Sequence, residues 1–109
     1  MSRPLENDLE KSKLTRVLKA MSNLRRMQIL SELADGKERS VSQIETLMPE
    51  LSQSALSQHL ARLRATGLVE TRRESQTIHY KIADKDVKRI LQLLNTIYAH
   101  DPANRGHFH

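Results

Sequence analysis

Between Gly67 and Asp84 the apolar residues of this chain change their period. From Leu68 onward Val69 and Thr71 alternate with Glu70 and Arg72, and after Glu74-Ser75 the residues Ile78, Tyr80 and Ile82 alternate with Thr77, His79 and Lys81. A period of two belongs to strands, whose successive side chains face opposite ways. One charged antiparallel hairpin is therefore predicted here. On both sides of it the apolar spacing is three and four, which is the helical period. The chain is expected to be mainly α with a small two-stranded β-hairpin.

About five helices can be placed around that hairpin. Residues 1–8 are polar and carry Pro4, so they are read as a frayed end. Leu14, Val17, Leu18 and Met21 then mark a first helix. Asn23 can cap a second, with Leu24, Met27, Leu30 and Leu33 as its apolar stripe and Asp35-Gly36 as the turn that ends it. Ser40 and Gln43 have the spacing of a capping box. The apolar face behind them, Val41, Ile44, Leu47 and Met48, stops at Pro49. Ser52 opens a longer run, Gln53 to Thr66, with Leu56, Leu60 and Leu63 inward and Gln53, Ser54, Ser57, Gln58, Ala61 and Arg62 outward; Gly67 is placed to end it. Asp84 caps a last helix whose seam, Val87, Ile90, Leu91, Leu94, Ile97 and Tyr98, is wider than a small core needs. The tail from His100, with Pro102 and Gly106, is expected to be poorly ordered.

A chain of 109 residues supports one domain, expected to span 1–109 with tails at 1–8 and 101–109. Its 18 Lys+Arg against 13 Asp+Glu give a formal charge of +5, which favours a polyanionic partner. Nothing reads as a signal peptide or membrane span, so a cytoplasmic, nucleoid-associated protein without a membrane partner is expected. There is no cysteine, hence no disulfide and no thiolate site. Tyr80, Tyr98 and Phe108 are too few aromatics for the stacking platforms that single-stranded nucleic acid requires, so duplex DNA fits better.

Short helix, tight turn at residues 48–51, longer helix, charged hairpin, helix: this order is that of a winged helix-turn-helix. In that geometry the start of the second helix of the pair meets base edges in the major groove. Gln53, Ser54, Ser57 and Gln58 are short hydrogen-bonding groups suited to reading them. The bland alternative is an ordinary solvated helix face. Behind it follows a basic segment, Arg62, Arg64, Arg72, Arg73 and Lys81 against Glu70 and Glu74. Arg62, Arg72, Arg73, Gln76 and Thr77 are candidates for phosphate or minor-groove contact, although edge-strand charges also serve to prevent aggregation. His59 either bonds a phosphate or packs under its helix, and His79 is expected to be solvated.

Residues 51–82, LSQSALSQHLARLRATGLVETRRESQTIHYKI, resemble the ArsR/SmtB family of bacterial repressors, in particular the branch typified by HlyU, BigR, SqrR and NolR. The likeness runs upstream through LKAMSNLRRMQILSEL at 18–33 and downstream through the last helix. It implies a winged helix-turn-helix homodimer whose first and last helices pair, with two recognition helices about one DNA turn apart on an inverted repeat. Leu14, Leu18, Val87, Ile90, Leu91, Leu94 and Tyr98 are the interface residues so implied. It further implies a repressor or antisilencer, with double-stranded DNA and a second copy as partners.

The sensor sites known in the family do not carry over. The thiolate site falls on Ser40-Val41-Ser42, the zinc pattern on Asp84, Asp86, Ile97 and His100, and the dithiol pair on Ser31 and Ala99. Hydroxyls do not replace thiolates toward soft metals, Ile97 offers no ligand atom, and neither Ser31 nor Ala99 has a sulfur to oxidise. No cofactor and no small-molecule substrate are expected. Asp84, Asp86, His100, Asp101, His107 and His109 remain weak metal candidates, and with them a metal-responsive regulator is one alternative function. A protein-interaction module on the same scaffold is another. Catalysis is disfavoured, because Ser57 and His59 are two residues apart on a helix and point to different faces.

Overall fold

A computed structural model describes residues 12–101. The expectations for residues 1–8 and 102–109, including His107 and His109, lie outside it. Among the described residues there are five helices and a small sheet: α1 Lys13–Met21, α2 Leu24–Glu32, β1 Arg39–Ser40, α3 Val41–Leu47, α4 Gln53–Ala65, β2 Val69–Glu74, β3 Thr77–Ile82 and α5 Lys85–Ala99. This is a winged helix-turn-helix.

Each helix starts where a side chain satisfies its free N–H groups. Asn23 Oδ1 accepts from the Arg26 amide at 3.0 Å, Ser52 Oγ from Ala55 at 3.1 Å and Asp84 Oδ1 from Val87 at 2.9 Å. Ser40 and Gln43 form a full capping box, the Gln43 amide donating to Ser40 Oγ at 3.2 Å and the Ser40 amide to Gln43 Oε1 at 2.8 Å. The end of α4 is equally specified: the Gly67 amide donates to Arg64 O at 3.0 Å and the Leu68 amide to Leu63 O at 3.2 Å. That Schellman pair needs a left-handed residue, and Gly67 has φ 80°.

The core brings Ile29, Leu30 and Leu33 of the α2 region together with Ile44 of α3, Leu56, Leu60 and Leu63 of α4, Leu68, and Val87 and Leu91 of α5. Tyr80 and Ile82 close it from the sheet. Among the described residues no polar or charged side chain is buried. Of the stripes expected on α2 and α3, Leu24 is 60% exposed, Leu47 41%, and Met27 is half-buried outside the core. At about 100° per residue Leu24 lies on the side of α2 opposite Ile29, Leu30 and Leu33, so the core takes Ile29, which the expected stripe left out. The seven-residue α3 is anchored by Ile44, and Met48 just beyond it is also buried.

The wing departs from the two-stranded hairpin expected. β1 pairs antiparallel with β3, Arg39 opposite Tyr80 and Ser40 opposite His79, giving the order β1-β3-β2. Two residues are too few to show a period, so this strand left no mark in the sequence pattern.

The seam on α5 also needs correction. Val87 and Leu91 have no exposed surface in the protomer. They belong to its own core and cannot form an intersubunit face. Toward the other end of α5 the helix leaves the core but stays beside α2, where Ser31 Oγ donates to Asn95 Oδ1 at 3.2 Å. There Leu94 and Tyr98 are half-buried along a groove with Leu18, Met21 and Met27, and Leu93 and Ile97 are 61% and 57% exposed.

Candidate nucleic-acid interface

At about 100° per residue, Leu56, Leu60 and Leu63 define the buried side of α4 and leave Ser54, Gln58 and Ala61 directly opposite it. Gln53, Ser54, Ser57, Gln58, Ala61 and Arg62 are all exposed, as expected. The polar face therefore stands free of the rest of the molecule. One flank of α4 meets the sheet, with Ser57 and Arg64 bordering a groove whose other side is Val41, Ile78 and Tyr80. The opposite flank meets α2. There His59 is half-buried, and desolvation together with the nearby Arg26 and Arg25 holds its pKa below the ordinary value.

α4 is also held at its start. Arg25 Nη1 contacts Glu50 Oε2 at 3.0 Å, tying α2 to the turn just before Ser52, and the same nitrogen donates to Gln28 Oε1 at 3.1 Å. Neither Arg25 nor Arg26 was singled out from the sequence. An Arg-Arg pair at a helix start has no sequence signal that would place it beside a residue more than thirty positions away.

The wing separates its two arginines. In β2 the side chains of Val69, Thr71 and Arg73 share one face, opposite Ile82, Tyr80 and Ile78 in register. This is the face turned toward α4. Arg72 lies on the other face with Glu70, Glu74, His79 and Lys81. There Arg72 Nη2 donates to Glu38 Oε1 at 2.8 Å and its Nε to Glu38 Oε2 at 2.9 Å. His79, expected to be solvated, is half-buried, with Nε2 3.7 Å from Glu74 Oε1. Gln76 and Thr77 are exposed at the wing tip, where Ser75 has φ 59°.

Ion pairing sorts the cations of this surface. Arg25, Arg39, Arg72 and Lys81 each face a carboxylate, whereas Arg26, Arg62, Arg64 and Arg73 have no ion pair among the described residues. The four uncompensated guanidiniums surround α4 on both flanks and along the wing face turned toward it.

The metal candidates are placed differently. Asp84 caps α5, and its Oδ2 lies 3.0 Å from Lys13 Nζ, with Asp86 Oδ2 3.2 Å from the same nitrogen. Hydrogen bonds from the Val87 amide and from Lys13 hold the Asp84 carboxyl below the usual range. His100 is exposed at the end of α5. No group of three His, Cys, Asp or Glu side chains that would hold a metal ion comes together among the described residues.

Comparison with known proteins agrees with this architecture. Residues 23–71, from the cap of α2 into the wing, match the bacterial regulatory proteins of the arsR family. The transcriptional activator HlyU of Vibrio cholerae is 48% identical over 93 residues, covering 85% of this chain and 84% of that protein. The structure of reduced HlyU from Vibrio cholerae superposes with a TM-score of 0.79 at 46% identity, covering 90% of this chain and 99% of the other. The homodimeric winged helix-turn-helix DNA-binding domain of a possible ArsR-family regulator from Mycobacterium bovis gives a TM-score of 0.75 at 37% identity, covering 100% of this chain and 96% of that one. With the fold, the residues that build it and the length of these matches in agreement, this chain belongs to the arsR family of bacterial regulatory proteins.

Proposed function

We propose that this protein is a DNA-binding transcriptional regulator that acts as a homodimer on an inverted-repeat operator, as a repressor or antisilencer, and does not work as an enzyme. One observation carries the reading: an exposed, uncharged polar face on α4 is flanked on both sides by arginines without a carboxylate partner among the described residues. Gln53, Ser54, Ser57 and Gln58 then read base edges, and Arg62, Arg73, Gln76 and Thr77 hold the backbone beside them. Arg26 and Arg64 extend the phosphate-holding surface.

The second copy docks through α1 and the far half of α5. Leu14, Leu18, Leu93 and Ile97 account for four of the six large apolar side chains exposed among the described residues, and Ile90, Leu94 and Tyr98 continue that surface. The Mycobacterium bovis domain is homodimeric, which supports a second copy as partner. The chain works as one winged domain in the cytoplasm, associated with the nucleoid. No helix among the described residues is long and apolar enough to cross a membrane.

The test is binding to the duplex that the wild-type protein selects from a randomised inverted-repeat library, set against random duplex, over a range of salt. Arg73→Ala should weaken both and flatten the slope of log K against log salt by about 0.9 for each phosphate that the protein no longer neutralises. Gln58→Ala should cost about 1–3 kcal/mol on the selected duplex and little on random DNA. Equal losses on both duplexes for Gln58→Ala would remove the base-reading role.

A further inference from the structure

The outer face of the wing carries a bridge that base or phosphate contact does not account for. β3 is the central strand of the sheet. Glu38 immediately precedes β1 on one side of it, and Arg72 belongs to β2 on the other. The two side chains meet over the central strand in a two-pronged contact, Nη2 to Oε1 at 2.8 Å and Nε to Oε2 at 2.9 Å. Glu74 Oε1 adds a weaker contact to Arg72 Nη2 at 3.4 Å. Paired arginine forks of this kind fix geometry as well as charge.

Two further facts give the bridge its role. β1 contributes just two residues to the sheet, so backbone pairing alone holds it weakly to the hairpin. The outer face also has no surplus positive charge: Glu38, Glu70 and Glu74 stand against Arg72 and Lys81, with His79 between them. A polyanion gains little there, in contrast to the face of Arg73.

We propose that Arg72 is a positioning residue: through Glu38 it sets the attitude of the wing relative to the segment entering α3, and it makes no phosphate contact itself. The inference rests on the DNA-binding reading for its consequence but not for its geometry. An exposed pair adds little to global stability. Its loss should therefore appear in wing order and in DNA affinity, not in the melting temperature.

The test uses the full-length protein as Glu38→Gln, Arg72→Gln and the charge-swapped Glu38→Arg/Arg72→Glu. Each is measured for backbone-amide hydrogen exchange of β1 and β3 and for binding to the selected duplex over a range of salt. Each single substitution should speed the exchange and weaken binding roughly tenfold with the salt slope unchanged, and the swap should recover most of both losses. The proposal is overturned if Arg72→Gln flattens the slope by about 0.9, or if the swap, which sets a carboxylate where Arg72 stood, binds worse than either single change. Unaltered exchange in both single variants overturns it as well. A wild-type protein that ignores every duplex defeats the DNA-binding reading alone, because the exchange measurement still decides whether the pair orders the wing.

Discussion

Single residues that look alike in the sequence have unlike work in the fold. Arg72 and Arg73 are neighbours of the same type, yet strand alternation sends one to Glu38 and the other to the side of α4. His59 offers a similar lesson, since it belongs to the half-buried flank of α4 and not to its polar face. Its pKa is lowered by desolvation first, then by Arg26 and Arg25. The unfolded chain therefore takes up the proton before the folded one does as the pH falls. The contribution of His59 to stability is complete above its ordinary pKa of 6.5 and declines as the pH drops through that value. Urea midpoints across this range should fall more for the wild type than for His59→Gln; parallel declines would assign the effect elsewhere.

Elements depend on their boundary residues, and here the boundaries were the most legible part of the sequence. Ser40 with Gln43, Ser52 and Asp84 all cap as their spacing predicts, because a cap is a local bond between residues three apart. Asp84 both caps α5 and pairs with Lys13, so Asp84→Ala should cost about 1 kcal/mol in chemical denaturation, whereas Asp86→Ala should cost less. Gly67→Ala tests the other end of α4. Nothing lies within 4 Å of a Cβ built at Gly67, so no clash arises and the cost comes from its φ of 80°. A loss of about 1–2 kcal/mol is expected, smaller for Gly67→Asn; an unaffected midpoint for Gly67→Ala would show that the helix end relaxes into another turn. β1, by contrast, was invisible, since it exists through its pairing with β3.

For the molecule as a whole the division of α5 matters most. Its seam reads as one continuous stripe in the sequence, but Val87 and Leu91 are taken up by the core and the surface proposed for a second copy begins beyond them. Leu91→Ala should destabilise the protein by about 2–5 kcal/mol through the cavity it leaves. Leu18→Glu and Ile97→Glu should instead yield folded monomers in analytical ultracentrifugation, with weaker operator binding. Dimers that survive both changes would place the interface elsewhere.

Local chemistry determined what the sequence alone could give: the five helices, their caps, the hairpin, the outward polar residues of α4 and, through the resemblance, the family. The elements, caps and outward residues follow from periodicity and from bonds between residues a few positions apart, the family from the resemblance alone. The tertiary structure decided the rest: the third strand, the sorting of arginines into paired and unpaired, the flank on which His59 lies and the point where the core ends along α5. Each of those depends on which segments distant in the chain come together, such as Glu38 with Arg72 or Arg26 with His59, and no short-range pattern encodes that meeting.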